Sequence, residues 1–482
     1  MHTKRYLFQM LPVLLTAFLT TGCRKLIEIP EPVDTITTKQ IFATNKEADW
    51  AMAGLYSKMV NGFSSQNFSM TAEQTFSSGL CTILGGLSSD DLLAGQANSD
   101  YSFINANKLT IYSAAPSNAL WSSAYRAIFD ANAILEGIEA SKSEHLTDSA
   151  RNQLNGEALS IRAFAYFYLV NFFGDLPIVL TTDFNKTARL ARSGTAKVYE
   201  QIVADLQKAI PLLQSDFSAG KTERVRINKW FAEALLARVY LYTGNYPGAI
   251  ASADKVIGEA SIFGLEPDPA NAFLKTSKEA ILQLKQTVQH SFFGNATPEG
   301  YIIKMRFSLT ESLVNSFAAN DKRKASWITQ SGIYYLPNKY KIGAANSGAA
   351  PNEYYTVMRL SELYLIRAEA RMLLSPSNTS AAIADLNVLR QRAGVNLLPD
   401  NLAPEAVTAA IATERQLEFF AEWGHRWLDL RRTGKATGVL SSITYKQPWS
   451  GDYQLLYPIP PNDIRDNSRL QQNPGYTDVQ NQ

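Results

Sequence analysis

Glu414, Glu418 and Glu422 recur every fourth residue, which on a helix stacks three carboxylates along one face, the raw material of a glycosidase acid and base. Their neighbours point elsewhere. Arg415 lies three residues before Glu418 and Glu422 four before Arg426, so helix-spaced ion pairs are available, while Leu417, Phe420, Ala421, Gly424 and Leu428 form an apolar stripe. The expectation is a structural ion-pair network. Asp90 and Asp91 differ, because they sit in an aperiodic, aromatic stretch where a carboxylate can accept sugar hydroxyls or hold a metal; a solvated turn is the competing reading. His145, His290 and His425 are too far apart for a helical zinc site. Gly220, Lys221 and Thr222 resemble the end of a phosphate loop, but Ser215 replaces its first glycine and a helix, not a strand, precedes it. Asn185, Lys186 and Thr187 form a chance glycosylation sequon, and Gly85 and Gly86 read as a flexible turn without a dinucleotide pattern. No catalytic residue, metal site or cofactor is expected.

Cys23 offers chemistry of another kind. Lys4 and Arg5 open the chain, an apolar run interrupted by Pro12 follows to Leu19, and Thr20, Thr21 and Gly22 lead into the cysteine. That order predicts a lipoprotein export signal over residues 1–22, too short to span a bilayer, with Cys23 lipidated as the first mature residue. Thr20 stands where a lipobox usually has Leu. Removing Lys4 and Arg5 with the signal leaves 44 basic against 44 acidic residues, so no electrostatic case exists for nucleic acid. Cys81 is then the single thiol left, and stability must come from packing rather than disulfides.

The elements that must position these groups are helical. Amphipathic periodicity predicts helices over residues 45–60, 117–140, 149–173, 196–213, 228–242, 247–258, 355–374, 380–393 and 404–430, with strand-like alternation only at 280–287 and 454–459. In one pair, Leu236, Ala237, Tyr240, Gly244, Tyr246, Ala249, Ala253 and Val256 place small and aromatic residues as a tetratricopeptide repeat does; residues 359–393 read as a looser copy. Stacked pairs of this kind predict a mainly α, curved superhelical scaffold. Residues 61–115 and 288–351 lack sustained periodicity but are rich in Gly, Ser, Asn and aromatics, so they read as long ordered loops with a functional role.

Several stretches carry a resemblance. GEALSIRAFAYFYLVNFFGDLPIV (156–179), ATERQLEFFAEWGHRWLDLRR (412–432) and YPIPPNDIRDNSRLQQNPGY (457–476) resemble hallmarks of the SusD/RagB family of outer-membrane nutrient-binding lipoproteins, as do residues 125–138, 358–370 and 386–395. The order is right, and the matches run through nearly the whole mature chain. Physically, Gly174, Asp175 and Pro177 end a long helix sharply, and Arg162, Arg367, Arg390 and Arg426 are expected to pair with carboxylates such as Glu157, Glu369 or Glu422.

The resemblance implies one SusD-like fold over residues 23–482, with an N-terminal part at about 24–225 and a C-terminal part at about 278–476. It also implies lipid anchorage at the outer face of the outer membrane and a SusC-like TonB-dependent transporter as partner. The function implied is capture of a nutrient, foremost an oligosaccharide or polysaccharide, without enzymatic activity. Aromatic faces that stack on sugars, with nearby polar groups for the hydroxyls, make Asp90, Asp91, Asn98, Tyr101, Tyr301, Trp327 and Tyr335 the candidate ligand residues. Trp327, beside Lys322, Arg323 and Lys324, is expected to be an exposed platform. A secreted glycosidase with a carboxylate pair and a repeat scaffold with only a protein partner are the alternatives.

Overall fold

The computed structural model describes residues 38–62, 75–95, 99–112, 114–286, 295–342 and 350–476. Cys23 and its signal, Asn98, His290 and the aromatics Phe63, Phe68, Phe292 and Phe293 lie outside the described residues. The principal elements in chain order are α1 (Asn45–Asn61), α2 (Cys81–Ser88), β1 (Leu92–Ala94), α3 (Asp100–Asn105), α4 (Ala115–Ala140), α5 (Asp148–Phe173), α6 (Thr195–Ala209), α7 (Lys229–Tyr242) and α8 (Tyr246–Ile257). They continue with β2 (Ala280–Leu284), β3 (Phe307–Leu309), β4 (Ile328–Ser331), β5 (Tyr334–Pro337), β6 (Tyr355–Arg359), α9 (Leu360–Leu374), α10 (Ser380–Ala393), α11 (Pro404–Phe419) and α12 (His425–Arg432). None of the described helices is long and apolar enough to cross a membrane.

Side chains close the orphan ends of these helices. Thr147 accepts from the Ala150 amide at the start of α5, Asn228 from Trp230 and Phe231 at α7, and Asn245 from Gly248 at α8. At the end of α5 the amide of Gly174, at φ +77°, returns to the carbonyl of Val170, as the sharp exit required. α7 and α8 pack as the repeat predicted: Ala237, Ala249 and Ala253 are fully buried, and Tyr240 and Tyr246 lie against the same core. α8 packs on α9 and α9 on α10, which extends the layer. A second core between α9, α10 and α11 is filled by Leu365, Ile383, Leu386, Val407 and Ile411.

Sheet structure is local. β1 pairs antiparallel with β3 (Leu92 opposite Leu309, Ala94 opposite Phe307), β2 with β6, and β4 with β5 as a hairpin. β1 belongs to the first long loop region and β3, with β5 beside it, to the second, so the two regions meet where β1 pairs with β3.

Four expectations need correction. Residues 355–374 are not one helix: Tyr355–Arg359 forms β6 before α9 begins. Residues 404–430 split into α11 and α12, because Ala421, Trp423 and Gly424 take positive φ of 50°, 48° and 72°. The break lets the Trp423 indole stack on Tyr355 at 4.9 Å and donate to the Thr356 carbonyl at 2.8 Å. Residues 454–459 hold no strand, and Asp452–Leu455 forms a 3₁₀ turn. Gly85 and Gly86, read as a flexible turn, lie in α2, where every residue is buried. The reason is close approach: a Cβ on Gly85 would stand 2.4 Å from the Cα of Gly424 and one on Gly424 2.7 Å from the Cys81 carbonyl oxygen, so only glycine lets the two backbones touch.

Candidate functional site

The glutamate series of α11 resolves into an ion cluster in the dry interior. Arg359 lies 2.7 Å from Glu279 and 2.9 Å from Glu422, Arg323 2.9 Å from both Asp321 and Glu418, and Arg392 3.0 Å from Glu279. Lys339 also bonds Glu422, and Arg392 bonds Glu418. Burial alone would raise the Glu418 carboxyl, but Arg392, Arg359 and Arg323 hold it well below the usual range. The network is structural, as expected, but its partners are not the helix neighbours. Arg415 pairs with Asp429 at 2.7 Å and Arg426 with Asp90, while Arg162 takes Asp205 and leaves Glu157 to Arg226. Arg367 pairs with Asp254 and Asp385 rather than Glu369, and Arg390 with Glu414.

Trp327 belongs to this cluster, and its expected exposure is overturned: it is 0% exposed. Lys339, Arg359 and Arg392 stand 4.7, 5.5 and 5.5 Å from its ring, and its indole donates to the Pro269 carbonyl at 2.8 Å. Its polar neighbours misled because Arg323 is itself buried against Glu414 and Glu418.

The remaining described candidates gather around β3. Asp90 and Asp91 form the turn between α2 and β1, and Thr310, which follows β3, donates its hydroxyl to the Asp90 carbonyl at 2.7 Å and its amide to that of Asp91 at 3.0 Å. The Asp90 carboxylate takes a two-pronged bond from Arg426 at 2.7 and 2.8 Å. Asp91 is 2% exposed and accepts from Gln416 at 3.2 Å; burial first, and the charge of Asp90 second, push its carboxyl up to about 7 against the pull of Arg426. Tyr101 packs edge-on to Phe307 at 5.3 Å, Tyr301 lies on the turn leading into β3, and half-buried Tyr335 sits on β5 opposite Gln330.

Residues that the sequence reading passed over complete this face. Tyr445 is 39% exposed, and its ring stands 5.4 Å from the Lys446 ammonium, which bonds the Leu87 and Ser88 carbonyls just before that turn; burial and then the charges of Asp90 and Asp91 raise the Tyr445 hydroxyl. Tyr334, at the tip of the β4–β5 hairpin, is 58% exposed. Tyr445 has the signal used elsewhere, an aromatic in a polar aperiodic stretch, but 441–451 is short enough to pass as a helix connection. Chemically, the face offers exposed rings beside fixed carboxylate, amide and guanidinium groups. Among the described residues no group of His, Cys, Asp and Glu could hold a metal ion. A groove of about 690 Å³ lies elsewhere, along α7 and α8, lined by Gln214, Asp216, Lys229, Glu233 and Lys255 and without an aromatic wall.

Comparison with known proteins places this geometry. Residues 85–241 match the SusD-like family described as starch-binding and associating with the outer membrane, and residues 284–476 match the SusD family. SusD-like protein P2 of Formosa agariphila is 25% identical over 538 aligned residues, covering 98% of this chain and 100% of the relative. The starch-binding protein SusD of Bacteroides thetaiotaomicron is 30% identical over 138 residues, 26% of this chain and 22% of that protein. The crystal structure of a putative sugar binding protein from Bacteroides vulgatus superposes with a TM-score of 0.72 at 25% identity, covering 90% of this chain and 99% of that one. Two family matches in the right order and end-to-end likeness to a SusD-like relative lead to one conclusion: the chain belongs to the SusD/RagB family.

Proposed function

We propose that this protein is a glycan-binding lipoprotein of the outer membrane, anchored through Cys23 and facing outward, that hands its ligand to a SusC-like TonB-dependent transporter. As a member of a family of carbohydrate-binding proteins it is not an enzyme. The observation that carries the glycan reading is the face around β3, where exposed Tyr445 lies over the Lys446 ammonium that bonds the end of α2 just before the Asp90–Asp91 turn. Aromatic rings stack on the C–H side of a pyranose, and fixed polar groups next to them satisfy its hydroxyls. The family descriptions and the sugar-binding relatives point the same way. Glu418 and Glu422, the pair a glycosidase would need, are 0% and 4% exposed and fully engaged by arginine and lysine, which leaves them no access to substrate.

The reading is tested by screening the purified mature protein against soluble glycans and peptides, with recovery of the ligand intact. Binding of peptides alone would replace the ligand class. Cys23→Ala should abolish fatty-acid labelling and release the protein from the membrane fraction. Copurification with a large outer-membrane barrel under mild detergent checks the partner, and recovery only as a free monomer counts against it.

A further inference from the structure

Lys446 is 0% exposed, and its ammonium is met by amide oxygens from three sources. The distances are 2.9 Å to the Leu87 carbonyl, 3.2 Å to Ser88, 2.7 Å to Asn105 and 2.6 Å to Oδ1 of Asn107. Leu87 and Ser88 end α2, and Asn105 ends α3. The last carbonyls of a helix have no partner within it and carry partial negative charge, so an N–H donor is favoured where two such ends converge, and with Asp90 they oppose the burial that pulls the Lys446 amine down to about 7. The surrounding bonds extend the tie: the Asn105 amide donates to Leu87 and Leu92 carbonyls and its oxygen accepts from Ala94, which fixes β1. The ring of Tyr445 stands 5.4 Å from the ammonium.

We propose that Lys446 is the positioning residue of the ligand face, its ammonium acting as an internal cation that joins the C-terminal ends of α2 and α3. It thereby holds the Asp90–Asp91 turn, the Tyr101 helix and Tyr445 in one arrangement. The cage stands on its geometry; the role in binding rests on the glycan reading. A hydrophobic stem alone cannot replace the group, because the Ser88, Asn105 and Asn107 oxygens would lose this donor in a dry interior, and the Leu87 carbonyl would keep only the Asn105 amide.

Lys446→Ala leaves room for a small alkylammonium, which allows a chemical rescue. Melting temperatures of wild type and variant are compared in sodium, ethylammonium and tetramethylammonium chloride at equal ionic strength. The variant should melt about 5 °C or more below wild type in sodium. Ethylammonium at roughly 0.1 M should restore a good part of that loss, since it binds only the folded cage, whereas tetramethylammonium, with no N–H, should not. Equal effects of the two amines overturn the cage. If the variant does not fold, native acetylation of the wild type decides: Lys446 should stay unmodified while exposed Lys435 reacts, and equal reaction rates overturn the cage. For a glycan that wild type binds, Lys446→Ala should bind about tenfold or more weakly and recover in ethylammonium. Unchanged affinity overturns the positioning role and leaves the glycan reading standing. A wild type that retains no glycan overturns both the reading and the positioning role, and the melting series then decides the cage alone.

Discussion

The helical pair α7–α8 and the loop-built region around β3 are held together by different physics. In the pair, neighbours in sequence are neighbours in space, and small apolar contacts at Ala237, Ala249 and Ala253 do the joining. In the loop region the joining groups come from far apart. Arg323 reaches Glu418, 95 residues on, Arg426 reaches Asp90 across 336, and α2 touches the Phe420–Gly424 break backbone to backbone. Apolar contacts degrade gradually when altered, whereas a buried charge left without its partner, or a backbone pushed apart, fails at once. A surface that must present polar groups in a fixed pattern gains from the second kind of construction.

The comparison breaks hardest at Arg359. Arg359→Met removes the cation shared by Glu279, Glu418 and Glu422 and should cost about 3–5 kcal/mol or abolish folding, read as the shift in urea midpoint or the loss of soluble protein. Trp327→Ala should fall in a similar range, about 3–5 kcal/mol, because it empties the centre of the same cluster.

Next comes acid. Burial pulls His425 down to about 4 despite the pull of Glu362, and its ring stacks on Phe419 at 4.6 Å. The unfolded chain takes up this proton near pH 6.5 and the folded one does not, so stability is lost as pH falls from about 6.5 to 4, by up to about 3 kcal/mol. Asp91, raised to about 7, and Glu299, raised to about 8 chiefly by burial, act with the opposite sign and gain stability as pH falls through those values. The difference between the pH profiles of wild type and His425→Gln isolates the histidine; a constant difference between pH 6.5 and 4 would mean it is not buried neutral.

Glycines give the smaller and sharper contrast. Gly85→Ala drives a methyl into the Gly424 backbone and should cost about 2–3 kcal/mol. Gly244→Ala, in the open turn between α7 and α8 at φ +78° with nothing near the added carbon, should cost only about 1 kcal/mol. Equal losses in thermal unfolding would erase the distinction between the two regions.

The same division governs what could be read from sequence. The helices from α4 to α8 and α10 declared themselves through local periodicity, with ends displaced by a few residues. α2 escaped because a helix buried on all sides, CTILGGLS, has no polar face to mark its period. The α11–α12 break escaped because positive φ at Ala421 and Trp423 is imposed by tertiary contact, and Gly424 was its sole local hint. Partners for Arg415 and Arg426 were sought one helical turn away, whereas Arg415 takes Asp429 beyond the α11–α12 break and Arg426 takes Asp90 across the fold. Asp90, Asp91 and Tyr101 fall in one aperiodic stretch of sequence, whereas Arg426, Lys446 and Tyr445 join them only through folding.

The most direct test is quantitative glycan binding by wild type and Tyr445→Ala, with melting temperatures measured alongside. Wild type should bind a soluble glycan and return it uncut. Loss of one stacked ring should weaken affinity some thirtyfold, about 2 kcal/mol, at nearly unchanged melting temperature. Cleaved product, no retention of any glycan by wild type, or full affinity in Tyr445→Ala would contradict a glycan site on the face around β3.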